Sequence, residues 1–396
     1  MTKNKVLIIA GEFLPNTESV GGVIRVFSFL KTLKNFKKYV VCKKSKFRGY
    51  FGLRKYLKNT KVIHVNRFIS TKNNLMIRVI RFFFGNILYL YAIDSTFFLL
   101  SSYKTNILKI LKEQNINKVI ISGPPFSLFY LVPYIKLKFP DIKIILDYRD
   151  GWGKRITSGL YIFKFLQNKF EKKIITKSDF IVTATKKIFD DVKSFKISTN
   201  VIFLSNGYLK LKNLIHKKLN LDKKIINIGY FGLISDKKES YRDINILIKT
   251  IELFKNQKFN FYFFGNSKID EKIKNKHFLN FYKNTSYLKT QSLMKQFDYL
   301  LILHTEKSTS SEVITGKFYE YLLSGVPILV ISNGDTEAGK IIKKLKIGYQ
   351  IDYSKKNLFD LLNRINKKFV FKKKFSVEKF SRDFQNKKLI KIMKNL

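Results

Sequence analysis

The sequence predicts an α/β protein with parallel sheets, built in two halves. Three observations carry this. Short apolar runs alternate with amphipathic helical segments along the 396 residues. A polar, Lys-rich stretch at 206–224 separates two such series. Hydrophobic residues make up 45% of the chain, enough to fill a core in each half. The usual allotment of roughly 150 residues per domain agrees with two or three domains.

The first series opens at Lys5–Ala10, a continuous apolar run of the kind that forms a strand buried on both faces. A glycine-bearing loop follows, and Gly21-Gly22 then opens a helix to about Lys34. Further strands are expected at 39–42, 61–65, 118–122, 142–147, 179–183 and 200–204, with helices at 103–113, 160–176 and 185–195. The segment 206–224 has little β pattern and reads as a linker. The second series begins at 225–231 and continues with strands at 259–264, 277–281, 299–304, 327–331 and 348–351. A basic helical segment runs from about 376 to 394. The expected domains are therefore 1–205 and 225–375, with 376–396 a terminal helix able to cross back to the first. Two such halves would leave a cleft between them. In doubly wound sheets, ligands sit beyond the carboxyl ends of the strands, where helix N-termini hold anions.

Composition excludes several classes. With 77 Lys+Arg against 28 Asp+Glu, the net charge is +49, which favours polyanions but says nothing about fold. Only eleven of the basic residues are Arg, the side chain that reads bases and phosphates in bidentate fashion. The Lys-, Ile-, Asn- and Phe-rich composition also fits an AT-rich coding sequence. No specific nucleic-acid partner is expected. One cysteine, Cys42, rules out an internal disulfide and a cysteine-based zinc site, and the four scattered histidines argue against a histidine metal site. The apolar run Val6–Ala10 is short and leads into Gly11 and Glu12 rather than a cleavage site. No stretch reaches about 18 uncharged apolar residues; Phe82–Leu100 is interrupted by Asn86 and Asp94. The expected location is the cytoplasm, with room for peripheral attachment to the inner membrane.

The most informative stretch is 300–329. Glu312 and Glu320 have seven residues between them, and Ser324-Gly325-Val326-Pro327 returns the chain into a strand. If helix starts near Thr315, Gly316 and Lys317 lie at its N-terminus and Glu320 lies about one turn inside. A helix start offers free N–H donors and a partial positive charge, which suits a diphosphate. Lys317 adds a point charge there, and an acidic residue a turn away can accept hydrogen bonds from ribose hydroxyls.

In these residues the chain resembles the retaining glycosyltransferases of family 4, which have the two-domain GT-B fold. Their hallmark is a Glu, seven residues, Glu pattern followed by a small-Gly-x-Pro strand entry. One branch has a Gly-Lys-x-x-Glu-Tyr-Leu-x-x-Gly-x-Pro version, matched by Gly316, Lys317, Glu320, Tyr321, Leu322, Gly325 and Pro327. Three more stretches match in the family's order. Gly21-Gly22-Val23-Ile24-Arg25 resembles the glycine loop beside the donor phosphates, although a plain tight turn would also use two glycines. Ser122-Gly123-Pro124-Pro125-Phe126 and Leu146-Asp147-Tyr148-Arg149-Asp150-Gly151-Trp152 resemble stretches of transferases that build bacterial surface polysaccharides. There the plainer reading is a buried Arg149–Asp150 pair that fixes a loop. Ser205-Asn206-Gly207 resembles the Asn-Gly turn before the linker.

The chain also departs from the pattern. Many members carry an Arg soon after the Gly that opens the second domain, then a Lys-Gly; here Gly232 is followed by Leu233. Arg242 is the best substitute, with Lys237 or Lys238 next. Glu312, usually in a glycine-rich loop, sits among Ser and Thr.

The resemblance implies transfer of a sugar from a UDP- or GDP-sugar with retention, to a glycan or lipid-linked acceptor of a surface polysaccharide such as capsule, O-antigen or lipopolysaccharide core. It implies catalytic roles for Asp150, Arg242 and Glu312. Donor binding would fall to Gly21, Gly22, Lys237, Arg242, Gly316, Lys317 and Glu320. No metal or other cofactor is implied, because fixed cations and helix N-termini can stabilise a departing diphosphate. Basic residues in 31–58, including Lys37, Lys38, Lys43 and Lys44, and the segment 78–84 offer a surface for anionic lipid. A solvated basic face with core aromatics behind it would look the same. The rival readings are a nucleotide-sugar epimerase of the same fold and a non-enzymatic polyanion binder.

Overall fold

Parallel pairing buries a strand on both faces, so its sequence runs apolar without alternation. The inner strands of this chain show that pattern, whereas edge strands such as Thr60–Val65 and Gly348–Asp352 are half-exposed. The computed structural model describes residues 4–14, 20–44, 53, 57–65, 94, 96–154, 164–211, 214–237, 240, 242–254, 258–305, 314–371 and 376–396. Among them the chain forms two units, 1–206 with 382–396, and 207–381.

The first unit holds a seven-stranded sheet of β1 (Lys5–Ala10), β2 (Lys37–Lys43), β3 (Thr60–Val65), β4 (Lys118–Gly123), β5 (Lys143–Tyr148), β6 (Phe180–Thr183) and β7 (Asn200–Phe203). Their order is β3-β2-β1-β4-β5-β6-β7, all parallel, so the winding reverses between β1 and β4. Its helices are α1 (Val20–Thr32), α2 (Leu100–Gln114), α3 (Leu131–Lys138), α4 (Lys164–Ile175) and α5 (Lys186–Lys193). The second unit has β8 (Ile226–Phe231), β9 (Phe259–Phe264), β10 (Leu279–Tyr282), β11 (Tyr299–His304), β12 (Ile328–Ser332) and β13 (Gly348–Asp352). Here the order is β10-β9-β8-β11-β12-β13, and the reversal falls between β8 and β11. Around it lie α6 (Asn245–Ile251), α7 (Glu271–Lys274), α8 (Tyr287–Met294), α9 (Gly316–Ser324), α10 (Glu337–Leu345) and α11 (Lys355–Arg364).

Successive side chains of β11 and β12 enter opposite cores. Leu301, Leu303, Leu329 and Ile331 pack on one face; Leu300, Ile302, Ile328 and Val330 pack on the other. Both faces are covered by helices, which explains the unbroken apolar runs. Burying each such side chain contributes about 1.5–3 kcal/mol before chain entropy is counted.

The last helices, α12 (Arg382–Gln385) and α13 (Lys387–Asn395), belong to the first unit. Leu389, Ile392 and Met393 recur at helical spacing and are buried. The Asn386 amide donates to Ser28 Oγ at 3.2 Å and Thr32 Oγ1 at 3.0 Å on α1. Lys118 Nζ donates to the Met393 carbonyl at 2.7 Å. The stretch expected to be a linker has no helix or strand among its described residues, yet its start is packed. Tyr208, Leu209 and Leu211 are buried, and Tyr208 N–H donates to the Phe380 carbonyl at 3.0 Å. Among the described residues, no helix is long and apolar enough to cross a membrane.

Candidate functional site

In the second unit the candidate residues gather beyond the carboxyl end of β8, at the reversal of the sheet. Thr315 is extended and Gly316 begins α9, which ends at Gly325 in the left-handed region at φ 74°. Glycine adopts that conformation without the clash a Cβ would create. Lys317 and Tyr321 stand four residues apart and so share one face of α9. The Tyr321 hydroxyl accepts the Phe231 N–H at 3.0 Å, which fixes the helix against the end of β8. Lys317 Nζ lies 3.8 Å from the centroid of the Tyr230 ring. A Cβ on Gly232 would come within 2.8 Å of that ammonium, which could swing aside, but φ is 139° there, a conformation that favours glycine.

Arg242 is brought to the same place by a loop that folds on itself. Ser235 N–H donates to the Arg242 carbonyl at 3.0 Å, and Asp243 N–H donates to Thr305 Oγ1 at 3.1 Å beyond β11. One guanidinium nitrogen donates to the Leu233 carbonyl at 3.3 Å. Burial pushes Lys317 well below the ordinary lysine range, and the Arg242 charge pushes it further. Among the described residues Lys317 forms no ion pair. Its ammonium instead faces the Tyr230 ring. Two basic side chains and a glycine backbone at a helix start are groups of the kind that can hold an anion.

Glu320 faces elsewhere. It is buried; one carboxylate oxygen accepts the Gln291 amide at 2.9 Å and the other accepts the Tyr287 hydroxyl, both from α8. Gln291 also donates to the Leu209 carbonyl at 2.8 Å, so Glu320 ties α9 to α8 and to the chain entering the unit. Gly316 is exposed, with open space where a Cβ would go. The Lys237 side chain is exposed beside the loop. Glu312 and Lys238 lie outside the described residues.

In the first unit a second cluster forms at the ends of β1, β4 and β5. Arg25, on α1, is buried and donates from Nε to Asp147 Oδ1 at 2.7 Å. Ser122 Oγ donates to the other Asp147 oxygen at 2.7 Å, and Arg25 also reaches Asn206 Oδ1 at 3.2 Å. The buried pair is therefore Arg25–Asp147. This corrects the Arg149–Asp150 pair that the sequence suggested. Arg149 instead donates to three carbonyls, of Gly22, Gly123 and Pro124, and so pins the first turn of α1 to the Gly-Pro-Pro loop. Gly21 and Gly22 lie in that first turn, where the sequence places the opening of the helix. Asp150 follows Arg149 and is half-buried. Trp152 stacks on Phe126, with ring centroids 5.4 Å apart and planes within 7°.

The expected lipid surface is changed by the fold. Lys37 and Lys38 begin β2, whereas Lys43 ends it and Lys44 follows. At about 3.3 Å per residue the two pairs stand on the order of 20 Å apart. Lys38 is buried and donates to the Leu30 carbonyl at 3.2 Å, and Lys43 pairs with Glu12 at 3.1 Å. Residues 45–52, 54–56 and 66–93, including the 78–84 segment, lie outside the described residues. Among the described residues no group of three or more His, Cys, Asp or Glu could hold a metal ion.

Tyr230, Tyr321, Gly232, Arg25 and Asp147 build these clusters without having been assigned a role from sequence. Asp147 and Arg25 were visible as polar residues inside apolar runs, a signal for a buried pair. Nothing local signals that Tyr230 lies under Lys317, because 86 residues of chain lie between them.

No family model matches the chain, and no curated protein sequence does. Solved structures match its fold over nearly the whole length at low identity. HepE from Anabaena, in complex with UDP and glucose, is 10% identical; 99% of this chain and 100% of that chain are covered, with a TM-score of 0.63. The lipopolysaccharide outer core galactosyltransferase WaaB in its apo form is 15% identical, with 99% and 100% covered and a TM-score of 0.58. UDP-GlcNAc 2-epimerase from Methanocaldococcus jannaschii is 12% identical, with the same coverage and a TM-score of 0.58. The fold is thus GT-B: two Rossmann-like units, each on a parallel sheet.

Proposed function

We propose that the chain is a retaining glycosyltransferase that takes a sugar from a UDP- or GDP-sugar and delivers it to a glycan or lipid-linked acceptor of a bacterial surface polysaccharide. The observation that carries this reading is the convergence of Lys317 and Arg242 on the end of β8, beside Gly232 and the start of α9. A leaving diphosphate gains negative charge as the bond to the anomeric carbon breaks. Two preorganised cations and free backbone N–H groups stabilise that charge without reorganisation at the moment of reaction, and without a metal. HepE with UDP and WaaB, which share the fold, support the donor class and the acceptor class respectively. In this reading Asp150 and Glu312 serve the sugar and acceptor side, Gly21 and Gly22 line the phosphate approach, and Lys237 adds an outer charge. Glu320 reaches the ribose only if it exchanges its contact to Tyr287.

Proton NMR of the full chain with UDP- and GDP-sugars tests this. Release of a nucleoside diphosphate, with the α or β configuration kept in the transferred or hydrolysed sugar, is expected. Lys317→Ala and Arg242→Ala should each lower kcat/KM by about 10²–10³. Interconversion of free nucleotide-sugars at C2 with no diphosphate released would identify an epimerase instead.

A further inference from the structure

The loop that carries Asp150 is anchored at three points. Arg149 holds its start through the carbonyls of Gly22, Gly123 and Pro124. Trp152 stacks on Phe126 in its middle. Its end is held by Glu171 of α4, where Oε2 accepts the Gly153 N–H at 2.8 Å and Oε1 accepts the Tyr148 hydroxyl at 3.0 Å. Glu171 is 2% exposed and Tyr148, at the end of β5, is fully buried. The fit is close: a Cβ on Gly153 would lie 2.7 Å from Glu171 Oε2.

We propose that Glu171 is a positioning residue that sets the Asp150 loop, and that it does so only in its ionised form. A carboxylate accepts from both donors at once. A protonated carboxyl keeps one good acceptor oxygen and turns the other into a donor, so either Gly153 N–H loses its acceptor or the Tyr148 contact must reverse and leave the Tyr148 proton without one. The end of the loop then loosens, and Trp152 comes away from Phe126. Loss of a buried hydrogen bond is not neutral, because the abandoned group has no water to turn to.

The surroundings place this change in the physiological range. Burial raises the Glu171 carboxyl to about 7, against the opposing pull of the Gly153 N–H, the Tyr148 hydroxyl and the Lys154 charge. Asp191 of α5 raises it further. Lys154 itself is held by Ser194 and lies 4.7 Å from the centre of the Phe195 ring; Asp191 pairs with Lys187 at 2.6 Å. The purpose assigned to the loop rests on the transferase reading, but the latch does not.

Trp152 is the only tryptophan in the chain, so its emission reports this loop alone. In the full-length protein without ligand, titration from pH 8.5 to 5.5 should show one transition with its midpoint near 7, the emission moving to the red on the acid side. Glu171→Gln should abolish it. Tyr148→Phe removes a donor to the carboxylate and should move the midpoint to higher pH. A flat wild-type titration overturns the proposal, as does a transition that survives in Glu171→Gln. Far-UV circular dichroism at pH 8 checks folding; should Glu171→Gln not fold, the direction of the Tyr148→Phe shift decides. With a donor in hand, wild-type kcat should lose its plateau below the same pH while KM for the donor stays constant, and that acid limb should be missing in Glu171→Gln. Because the fluorescence needs no nucleotide, a failed latch and a failed transferase reading are told apart.

Discussion

Lys317 holds its ammonium against an aromatic face where most buried amines would find a carboxylate. The arrangement is unfavourable for the protein alone, because burial and Arg242 both disfavour the charge. The sign of the linkage follows. A folded-state value below the unfolded one means that the Lys317 contribution to stability is full only above the ordinary lysine value. It is lost as pH falls through the lower, folded value. An arriving diphosphate favours the charged form, so proton uptake on binding should grow, and affinity should fall, as pH rises through the folded value. Calorimetry in two buffers of different ionisation enthalpy measures this uptake directly. Lys317→Met keeps the apolar stem over Tyr230 and removes the charge. It should leave stability unchanged or raise it, since a desolvated amine is replaced by a packed apolar side chain. The same variant should lose nucleotide binding. A variant that is less stable and still binds would show that the amine is structural.

At the scale of elements, the site depends on how closely two strand ends approach. A Cβ on Gly265, after β9, would meet the Gly232 carbonyl oxygen at 2.2 Å, a backbone atom that cannot swing aside. Gly265→Ala should therefore displace Gly232, lower the melting temperature by several degrees, and weaken diphosphate binding. Gly316→Ala meets nothing within 4 Å and should be tolerated, even gaining up to about 1 kcal/mol of helix propensity. Melting curves of the two variants check the contrast. The strands were readable from sequence because burial on both faces writes a continuous apolar run. β1, β9 and β11 have the expected bounds. The α9 start was readable too, since Thr315, Gly316 and the Gly325-Val326-Pro327 exit are local signals. What could not be read was long-range. The position of Lys317 over Tyr230, the turn of Glu320 toward Tyr287 and Gln291, and the pairing of Arg25 with Asp147 each join residues from different elements. The helix opening at Gly21 and Gly22 was readable as well, because the apolar face of Val23, Val26, Phe27 and Leu30 repeats at helical spacing directly after them.

For the whole molecule, the net charge of +49 invites a polyanion of any kind, and the GT-B fold invites a nucleotide. The two ideas differ in what they require of a single lysine. A diffuse electrostatic partner would be bound by many side chains, would fade steeply with salt, and would be indifferent to Lys317. A nucleoside diphosphate would need that residue and Arg242. The chain crosses between its units twice, at 206–207 and at 381–382, so the last helices complete the first unit rather than the second. Nucleotide binding should thus be read on the melting of the second unit, 207–381. The decisive measurement is a thermal-shift panel of UDP, GDP and CMP with their sugars, with duplex DNA beside them, on wild type and Lys317→Met at about 0.15 M salt. One diphosphate at ~100 times its Kd should add about 2.7 kcal/mol, on the order of 5–10 °C for a unit of this size, and Lys317→Met should abolish the shift. Stabilisation by DNA but by no nucleotide, or a nucleotide shift that persists in Lys317→Met, would contradict a donor site at the end of β8.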